Sequence, residues 1–226
     1  MEAAVKYYEP VLEAESVSGL LSTLAEADPP PLIVKLGERY YPLHQLLLTL
    51  DGKSARGVRV LSSSPGLRSA LKLLSQGHYL VVRSRAVTPR SVIRYLLEEE
   101  FLADEAVLER VTRYAVPCLK SNATVKTVVR FLEARGAVAA PLCWQSRIKR
   151  VVTIVDALSY AVSSGLSRRS LLLDRSSAAR IGGSRPRAHS EPLQPLLNGL
   201  YAVTPTGLLL DVSSLRMMLG ELSVEV

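Results

Sequence analysis

One pattern of apolar residues occurs four times along the chain. Each copy places apolar residues at positions i, i+3, i+4 and i+7, which is the stripe of an amphipathic helix. The four stripes are Val17/Leu20/Leu21/Leu24, Leu67/Ala70/Leu71/Leu74, Val125/Val128/Val129/Leu132 and Leu193/Leu196/Leu197/Leu200. Ser16, Ser64, Thr124 and Ser190 stand at or before the stripes, where N-caps are expected. One stripe arises by accident in a Leu-rich chain, but four predict an internal repeat.

A strand, a polar turn and a second strand are predicted after each of these helices. The second and fourth units share the spacing Gly-x-Tyr-x-Val, in Gly77-His78-Tyr79-Leu80-Val81 and in Gly199-Leu200-Tyr201-Ala202-Val203. The first and third units carry longer hairpins instead. Because odd units resemble each other and even units resemble each other, the sequence predicts a duplicated pair whose halves meet near Arg113.

The third unit resembles a CBS domain over residues 114–165. The residues that carry the resemblance are Ser121-Asn122-Ala123-Thr124-Val125 through Pro141-Leu142, and then Val151-Val152-Thr153-Ile154-Val155-Asp156-Ala157-Leu158. The second stretch is similar to that family's closing pattern of two hydrophobic residues, Thr, two residues, Asp, one residue and Leu. The other three units share the resemblance mainly through the repeat.

The resemblance implies an α/β fold of the α+β repeat type, with four β-α-β-β-α CBS units arranged as two paired modules. The expected units are residues 1–52, 53–113, 114–165 and 191–226, with an Arg/Ser/Gly-rich linker at 166–190. The chain is similar to archaeal stand-alone proteins built of CBS repeats. Two Asn, four Gln and an excess of Arg over Lys fit a thermophile.

The resemblance also implies a nucleotide-binding cleft in the third unit. By analogy with the family, Asp156 holds ribose hydroxyls, Thr153 helps to hold phosphate, and Ala139, Ala140 and Pro141 lie near the base. AMP, ADP or ATP is then an optional regulatory ligand, and no cofactor is required. The alternative is that Thr153 and Asp156 only cap the helix that follows.

The other three units depart from this pattern. The residues at the corresponding positions are Pro42 and Gln45, Thr88 and Ser91, and Leu210 and Ser213. Only the third unit therefore keeps the carboxylate.

Positive charge is concentrated in blocks. The chain has a net charge of +7 and a pI near 9.6, and basic blocks at residues 51–90, 114–150 and 166–190 alternate with acidic ones. Arginine forks match phosphate oxygens and release counterions from a polyanion, so these blocks predict contact with RNA. The expected RNA contacts are Arg168, Arg169, Arg175, Arg180, Arg185, Arg187, Arg147, Lys149, Arg150, Arg83, Arg85 and Arg90. The alternative for the linker is a solvated segment that only aids solubility.

Motifs for catalysis and metal binding are missing from the sequence. It holds no Gly-x-Ser-x-Gly, no phosphate loop and no Gly-x-Gly-x-x-Gly, and its three histidines form no metal-spacing pair. We therefore expect no enzyme and no metal site. Cys118 and Cys143 are expected to form neither a disulfide scaffold nor a zinc site, and no run is long enough to span a bilayer, which predicts a soluble cytoplasmic protein.

Two functions remain open from the sequence. In the leading hypothesis, the protein docks on RNA through basic surfaces; the resemblance to archaeal CBS-repeat proteins implies the ribosome as partner and a role as a translation-silencing, hibernation-type factor. In the alternative, it is an adenine-nucleotide sensor that acts on a protein partner. The sequence leaves open whether two copies form a homodimer.

Overall fold

The computed structural model describes residues 7–225 and contains the four predicted repeats. In each unit, a short strand or bridge runs parallel to the first strand of a hairpin, a helix connects the two, and a second helix closes the unit. The expected fold class is confirmed.

Units 1 and 2 form the first half of the chain. Unit 1 consists of β2 (Leu12–Ala14), α1 (Val17–Glu26), β3 (Ile33–Leu36), β4 (Arg39–Pro42) and a 3₁₀ helix (Leu43–Asp51). Unit 2 consists of β5 (Val58–Leu61), α2 (Leu67–Ser75), β6 (Tyr79–Val82), β7 (Arg85–Val87), α3 (Pro89–Glu98) and α4 (Asp104–Thr112). A first strand, β1 (Glu9–Pro10), precedes unit 1 in the chain but pairs with β7 in the sheet of unit 2.

Units 3 and 4 form the second half. Unit 3 consists of β8 (Leu119–Lys120), α5 (Val125–Arg135), β9 (Ala139–Trp144), β10 (Arg147–Thr153) and α6 (Ile154–Ser163). Unit 4 consists of α8 (Leu193–Asn198), β11 (Tyr201–Val203), β12 (Leu209–Asp211) and α9 (Val212–Glu225). Its parallel first strand is reduced to a bridge between Ala188 and Val203.

The four apolar stripes lie on the four opening helices as predicted, except that Leu200 comes after the end of α8 at Asn198. Ser16 and Thr124 cap α1 and α5 through their side chains. The other two predicted caps are wrong, because α2 begins after Gly66 and α8 begins after Pro192. The sequence pattern therefore places the helices correctly but misplaces two of their starts.

Alternating residues on the strands serve two different cores. In β6, Tyr79 and Val81 pack with the sheet of unit 1, whereas Leu80 and Val82 pack with the helices of units 2 and 4. Residues on opposite faces of a strand alternate, so each sheet joins its neighbour on one side and helices on the other. Ala139, Val151, Val203 and Leu209 join the sheets of units 3 and 4 in the same way. Units 1 and 2, and units 3 and 4, are thus paired through their sheets.

The two modules meet through their helices. The closing helix α6 of unit 3 packs on α1 and the 3₁₀ helix of unit 1, and α9 of unit 4 packs on α2, α3 and α4 of unit 2. One core consequently contains the helices of units 1 and 3, and another contains those of units 2 and 4.

The segment between units 3 and 4 differs from the expected linker. It forms α7 (Arg168–Leu171) and a 3₁₀ helix (Ala178–Ile181), and it buries Leu171, Ala178 and Ile181. Its backbone also pairs with the sheet of unit 3, where the amide of Val151 donates to Ser184 at 2.9 Å and that of Ser184 donates to Val151 at 3.0 Å. Three apolar residues spaced among arginines are enough to anchor this segment, so the expectation of a loose linker is wrong.

Cys118 and Cys143 form a disulfide bond, with their Cα atoms 5.7 Å apart. This corrects the sequence-based expectation. Strands β8 and β9 pair in parallel, with Leu119 opposite Leu142 and Lys120 opposite Cys143, so the short first strand lies beside the hairpin. That register brings together two thiols that lie far apart in the sequence.

None of the helices within residues 7–225 is both long enough and apolar enough to cross a membrane.

Candidate functional site

A cavity of about 830 Å³ lies where all four units meet. We call it the junction cavity. Its lining residues are His44, Gln45 and Leu48 of unit 1, Lys53, Ser54, Arg56, Gly57, Gln76, Gly77 and His78 of the unit 2 region, Glu133, Ala134, Arg135 and Gly136 of unit 3, Arg168 of the connecting segment and Arg216 of unit 4. All four repeats therefore contribute at least one residue to the lining of this cavity.

The junction cavity carries an excess of positive charge. Five of its lining side chains are Lys or Arg and one, Glu133, is a carboxylate. Glu133 is already occupied, because Arg168 donates to it through Nε at 2.6 Å and through Nη2 at 2.9 Å. Lys53 lies 3.4 Å from Asp51. Arg56, Arg135 and Arg216 form no ion pair within residues 7–225, and they leave the cavity suited to an anion.

Arg216 is positioned by two glycines. From α9 it reaches the end of α5, where its Nη2 donates to the carbonyl of Arg135 at 3.2 Å. Gly136 ends α5 in the left-handed region with φ 60°, and a Cβ there would lie 3.1 Å from both Nη atoms of Arg216. Gly77, with φ 84°, follows α2 on another side of the same guanidinium. A Cβ at Gly136 would force the guanidinium of Arg216 to shift by a few tenths of an ångström.

Two imidazole nitrogens beneath the wall of the junction cavity have no hydrogen-bond partner within residues 7–225. They are Nδ1 of His44 and Nδ1 of His78. His44 is only 8% exposed, and burial, together with the nearby charge of Arg216, lowers its pKa to about 4. Both nitrogens have almost no accessible surface, so they lie behind the cavity wall and are not exposed to a ligand in the cavity.

Gln45 ties unit 1 to the segment before β5. Its Nε2 donates to the carbonyl of Arg56 at 2.9 Å, and its Oε1 accepts from the amide of Arg56 at 2.8 Å. The sequence identified Gln45 only as a departure from the family's carboxylate. In the structure it holds Arg56 at the edge of the junction cavity.

Thr153 and Asp156 form a reciprocal cap at the start of α6. The amide and hydroxyl of Thr153 donate to Oδ2 of Asp156 at 2.7 and 2.8 Å, and the amide of Asp156 donates back to the Thr153 hydroxyl at 3.2 Å. The capping alternative from the sequence is therefore observed. Oδ1 of Asp156 accepts no hydrogen bond from residues 7–225 and remains available to a ligand. A nucleotide role for this pair therefore stays a prediction.

The three residues expected near the base lie in the protein interior. Ala139 packs between the sheets of units 3 and 4, Ala140 packs in the core shared with unit 1, and Pro141 is also buried. Their side chains are buried in this packing, and their contact with a base stays a prediction. None of them, nor Thr153 or Asp156, lines the junction cavity.

Unit 4 does carry a carboxylate at the start of its closing helix. It is Asp211, which the sequence comparison missed by aligning Leu210 and Ser213. Asp211 is fully buried, and its Oδ2 accepts from the amides of Val138 at 2.8 Å and Ala139 at 3.3 Å. Burial raises the pKa of Asp211, while these donors and Ser213 act in the opposite direction. Its partners lie within the protein, so it joins units 3 and 4 instead of meeting a ligand.

The predicted RNA contacts do not share one surface. The prediction that Arg90 contacts RNA is wrong. Arg90 is fully buried, and its guanidinium donates to the carboxylate of Glu9 and to the carbonyl of Gly199. Arg168 faces the junction cavity and binds Glu133. Arg83 and Arg85 are exposed at the hairpin of unit 2, beside Tyr8, Ser63 and Ser64. Arg169 and Arg175 are also exposed, on the segment that includes α7.

The remaining predicted contacts lie on or beside one groove on unit 3, which we call the unit 3 groove. It has a volume of about 790 Å³, and Lys149, Arg150 and Arg185 line it. No acidic residue is among its described lining residues. Arg147, Arg180 and Arg187 are exposed next to lining residues in the sequence, and Trp144, opposite Arg147 in the hairpin, is 59% exposed.

A solved structure from Methanocaldococcus jannaschii matches this fold over almost its full length. That protein is described as a proposed archaeal homolog of γ-AMPK, and the alignment covers 96% of this chain and 99% of that chain, with a TM-score of 0.62 and 13% identity. This chain has the CBS-repeat fold. No family model matches the sequence, and the search of curated proteins also found no match. The comparison therefore concerns the fold and assigns no ligand to this chain.

Apart from Arg168, which was expected to contact RNA, the residues of the junction cavity were not predicted as site residues from the sequence. His44, His78, Arg135 and Arg216 come from four different units and form no local motif. A partial signal was present, since a glycine follows the opening helix in both repeats: Gly136 is the C-cap of α5, and Gly77 comes one residue after the C-cap of α2. The sequence does not show that these two ends converge.

Proposed function

We propose that the protein is a non-enzymatic regulator that binds an adenine nucleotide at the junction cavity and transmits its occupancy to a protein partner. The observation that carries the proposal is the surplus positive charge of the junction cavity, where Arg56, Arg135 and Arg216 form no ion pair within residues 7–225. A volume near 830 Å³ falls in the range of ordinary ligand pockets, roughly 300–1,000 Å³. The likeness of the fold to a described homolog of γ-AMPK supports a regulatory role.

The position of the cavity gives a physical route for regulation. Arg56, Arg135 and Arg216 come from different parts of the chain and repel one another when no anion lies between them. Phosphate groups remove that repulsion and draw the units together, so the ligand favours one arrangement of the two modules. A ligand can shift such an equilibrium only by its difference in affinity for the two arrangements.

Replacing Arg216 with Gln should weaken nucleotide binding by about tenfold or more, because a hydrogen bond to a charged group contributes about 1.5–3 kcal/mol. Isothermal titration calorimetry with AMP, ADP and ATP measures the effect. Arg147→Gln is the matched control, since it removes one exposed guanidinium outside the cavity. No binding of any of the three nucleotides to the native protein would contradict the proposal.

Asp156→Ala distinguishes the two candidate locations. A ligand in the junction cavity predicts unchanged affinity in this variant, because Asp156 does not line the cavity. A loss of affinity in Asp156→Ala alone would return the site to the start of α6.

RNA docking is a second candidate, favoured by the unit 3 groove. Three cationic side chains, no described acidic residue and a nearby exposed tryptophan suit a phosphate backbone with a stacked base. On this hypothesis the ribosome is the partner and translation is silenced there. The proposal of a nucleotide-binding regulator comes first, because the fold comparison agrees with it.

The double variant Lys149→Gln/Arg185→Gln tests RNA docking. We expect weaker binding to a single-stranded RNA and a salt slope reduced by about two, since each contacted phosphate contributes about one unit. Lys72→Gln/Arg113→Gln removes two exposed cations elsewhere and serves as the control. Equal salt slopes in the two variants would exclude the groove as the docking surface.

A further inference from the structure

The disulfide between Cys118 and Cys143 lies at the surface of unit 3. Cys118 is exposed and Cys143 is half-buried, and these are the two cysteines of the chain. A thiolate must reach one of the two sulfurs to reduce a disulfide, so exposed disulfides are the labile ones and buried disulfides are protected. The bond is therefore open to attack from the side of Cys118.

The surroundings of this disulfide are positively charged. Lys120 lies opposite Cys143 where β8 pairs with β9, and Lys149 is exposed on the neighbouring strand β10. Glu133 is the only acidic residue in the sequence between positions 114 and 150, and its carboxylate is already bound by an arginine. Positive charge attracts an attacking thiolate and stabilises the thiolate that leaves, so these surroundings favour exchange.

The disulfide holds a strand that has little else to keep it in place. Strand β8 has two residues and lies at the edge of its sheet, where it pairs with β9 alone. Before this strand, the amide of Val116 donates to the carbonyl of Leu209 in unit 4 at 2.8 Å. After it, the amide of Ser121 donates to the carbonyl of Cys143 at 2.9 Å. Without the covalent bond, the chain between Val116 and Ser121 is tied to the hairpin only by this short pairing.

The same strand pair forms one wall of the unit 3 groove. Ser121, which directly follows β8, and Leu142, which precedes Cys143 on β9, both line the groove. Lys149 and Arg185 are among the other lining residues. A displacement of β8 from β9 therefore changes the shape of the groove beside its cationic side chains.

We propose that the Cys118–Cys143 bond is a thiol–disulfide exchange site that a dithiol reduces in the folded protein, and that reduction releases β8 and alters the unit 3 groove. The inference goes beyond the proposed nucleotide regulation and does not depend on it. The reactant is a molecule with two neighbouring thiols, and the reaction is reversible.

The exchange proceeds in two steps that balance. One thiolate of the dithiol attacks Sγ of Cys118, a sulfur–sulfur bond forms between them, and the bond to Cys143 breaks with its electron pair on Sγ of Cys143. The second thiolate of the reductant then attacks the first sulfur of the reductant, closes a disulfide within it and releases Cys118. Each cysteine takes a proton from water, so the protein disulfide gains two electrons and the dithiol loses two.

Reduction of the native oxidised protein by dithiothreitol tests the first part of the proposal. Alkylation with iodoacetamide followed by mass spectrometry counts the thiols, and circular dichroism shows that the chain stays folded. We expect no alkylation before reduction and two alkylated cysteines afterwards, at a rate that urea below the unfolding transition leaves unchanged. A disulfide that resists dithiothreitol, or a rate that rises steeply with urea, would mean that only the unfolded chain is reduced, and would overturn the proposal.

Hydrogen exchange of the backbone amides tests the release of β8. The amide of Ser121 should exchange about tenfold faster or more in the reduced protein than in the oxidised one, because its acceptor lies on the strand that is released. The amide of Val116 is the internal control and should not change, since its acceptor lies in unit 4. The double variant Cys118→Ser/Cys143→Ser should exchange like the reduced protein. Equal exchange of Ser121 in the oxidised and reduced proteins would show that the disulfide does not control this strand.

Discussion

Replacing Arg90 with Met should lower the free energy of unfolding by about 3–5 kcal/mol, the usual cost of removing one partner from a buried ion pair. Arg90 is fully buried, and its Nε and Nη2 donate to the two carboxylate oxygens of Glu9 at 2.8 and 3.0 Å. The remaining donors reach the carbonyls of Pro30 at 2.7 Å and Gly199 at 2.9 Å. Methionine fills similar space but leaves a buried carboxylate and two carbonyls without partners.

Urea unfolding monitored by circular dichroism measures this loss. Arg94→Met is the control, because Arg94 donates to a carbonyl and a side chain near the surface, at Leu197 and Asn198, and holds no buried acid. Adding Glu9→Gln to Arg90→Met should recover part of the loss, since it removes the buried charge. A change below about 1 kcal/mol in Arg90→Met would show that Glu9 does not depend on this arginine.

Asp211→Ala should cost about 3 kcal/mol or more. An unsatisfied buried donor costs about 1–3 kcal/mol, and this change leaves several. Besides Val138 and Ala139, the carboxylate accepts from the amides of Ser213 at 2.9 Å and Ser214 at 3.3 Å. These donors belong to the hairpin start of unit 3 and the first turn of α9, so the loss falls on the contact between two units.

Thermal and urea unfolding of Asp211→Ala and Asp211→Asn test this role together. Asparagine should destabilise the protein less than alanine, because it keeps one acceptor oxygen. It should still be less stable than the native protein, because its N–H₂ group faces the other donors. Ser223→Ala is a matched control on α9, because its hydroxyl donates only to the nearby carbonyl of Gly220. Equal stability of the native protein and Asp211→Ala would refute a structural role for this carboxylate.

The repeat is the part of the fold that the sequence predicts well. The helical spacing of apolar residues predicts that Val125, Val128, Val129 and Leu132 face the core, and these four residues are buried in α5. The segment 166–190 was misjudged because its composition is dominated by Arg, Ser and Gly, whereas its fold depends on Leu171, Ala178 and Ile181. The disulfide was missed because spacing in sequence says nothing about the register of β8 against β9.

Most residues of the candidate site could not be predicted from the sequence. Thr153 and Asp156 stood out because they form a local pattern, and the structure explains that pattern by capping. His44, His78 and Arg216 become neighbours only when the two modules pack together. Arg90 shows the opposite error. The charge pattern counts this arginine as a surface cation, but in the structure it is buried and donates to Glu9 on β1.

The sharing of each helical core between the two halves bears on how such a chain arose. Unit 1 completes its core with unit 3, and unit 2 completes its core with unit 4. A half-length ancestor would have exposed those helix faces and needed a second copy of itself to cover them. Fusion of two such copies would make their association independent of concentration, and would allow the copies to diverge in the residues they contribute to the centre.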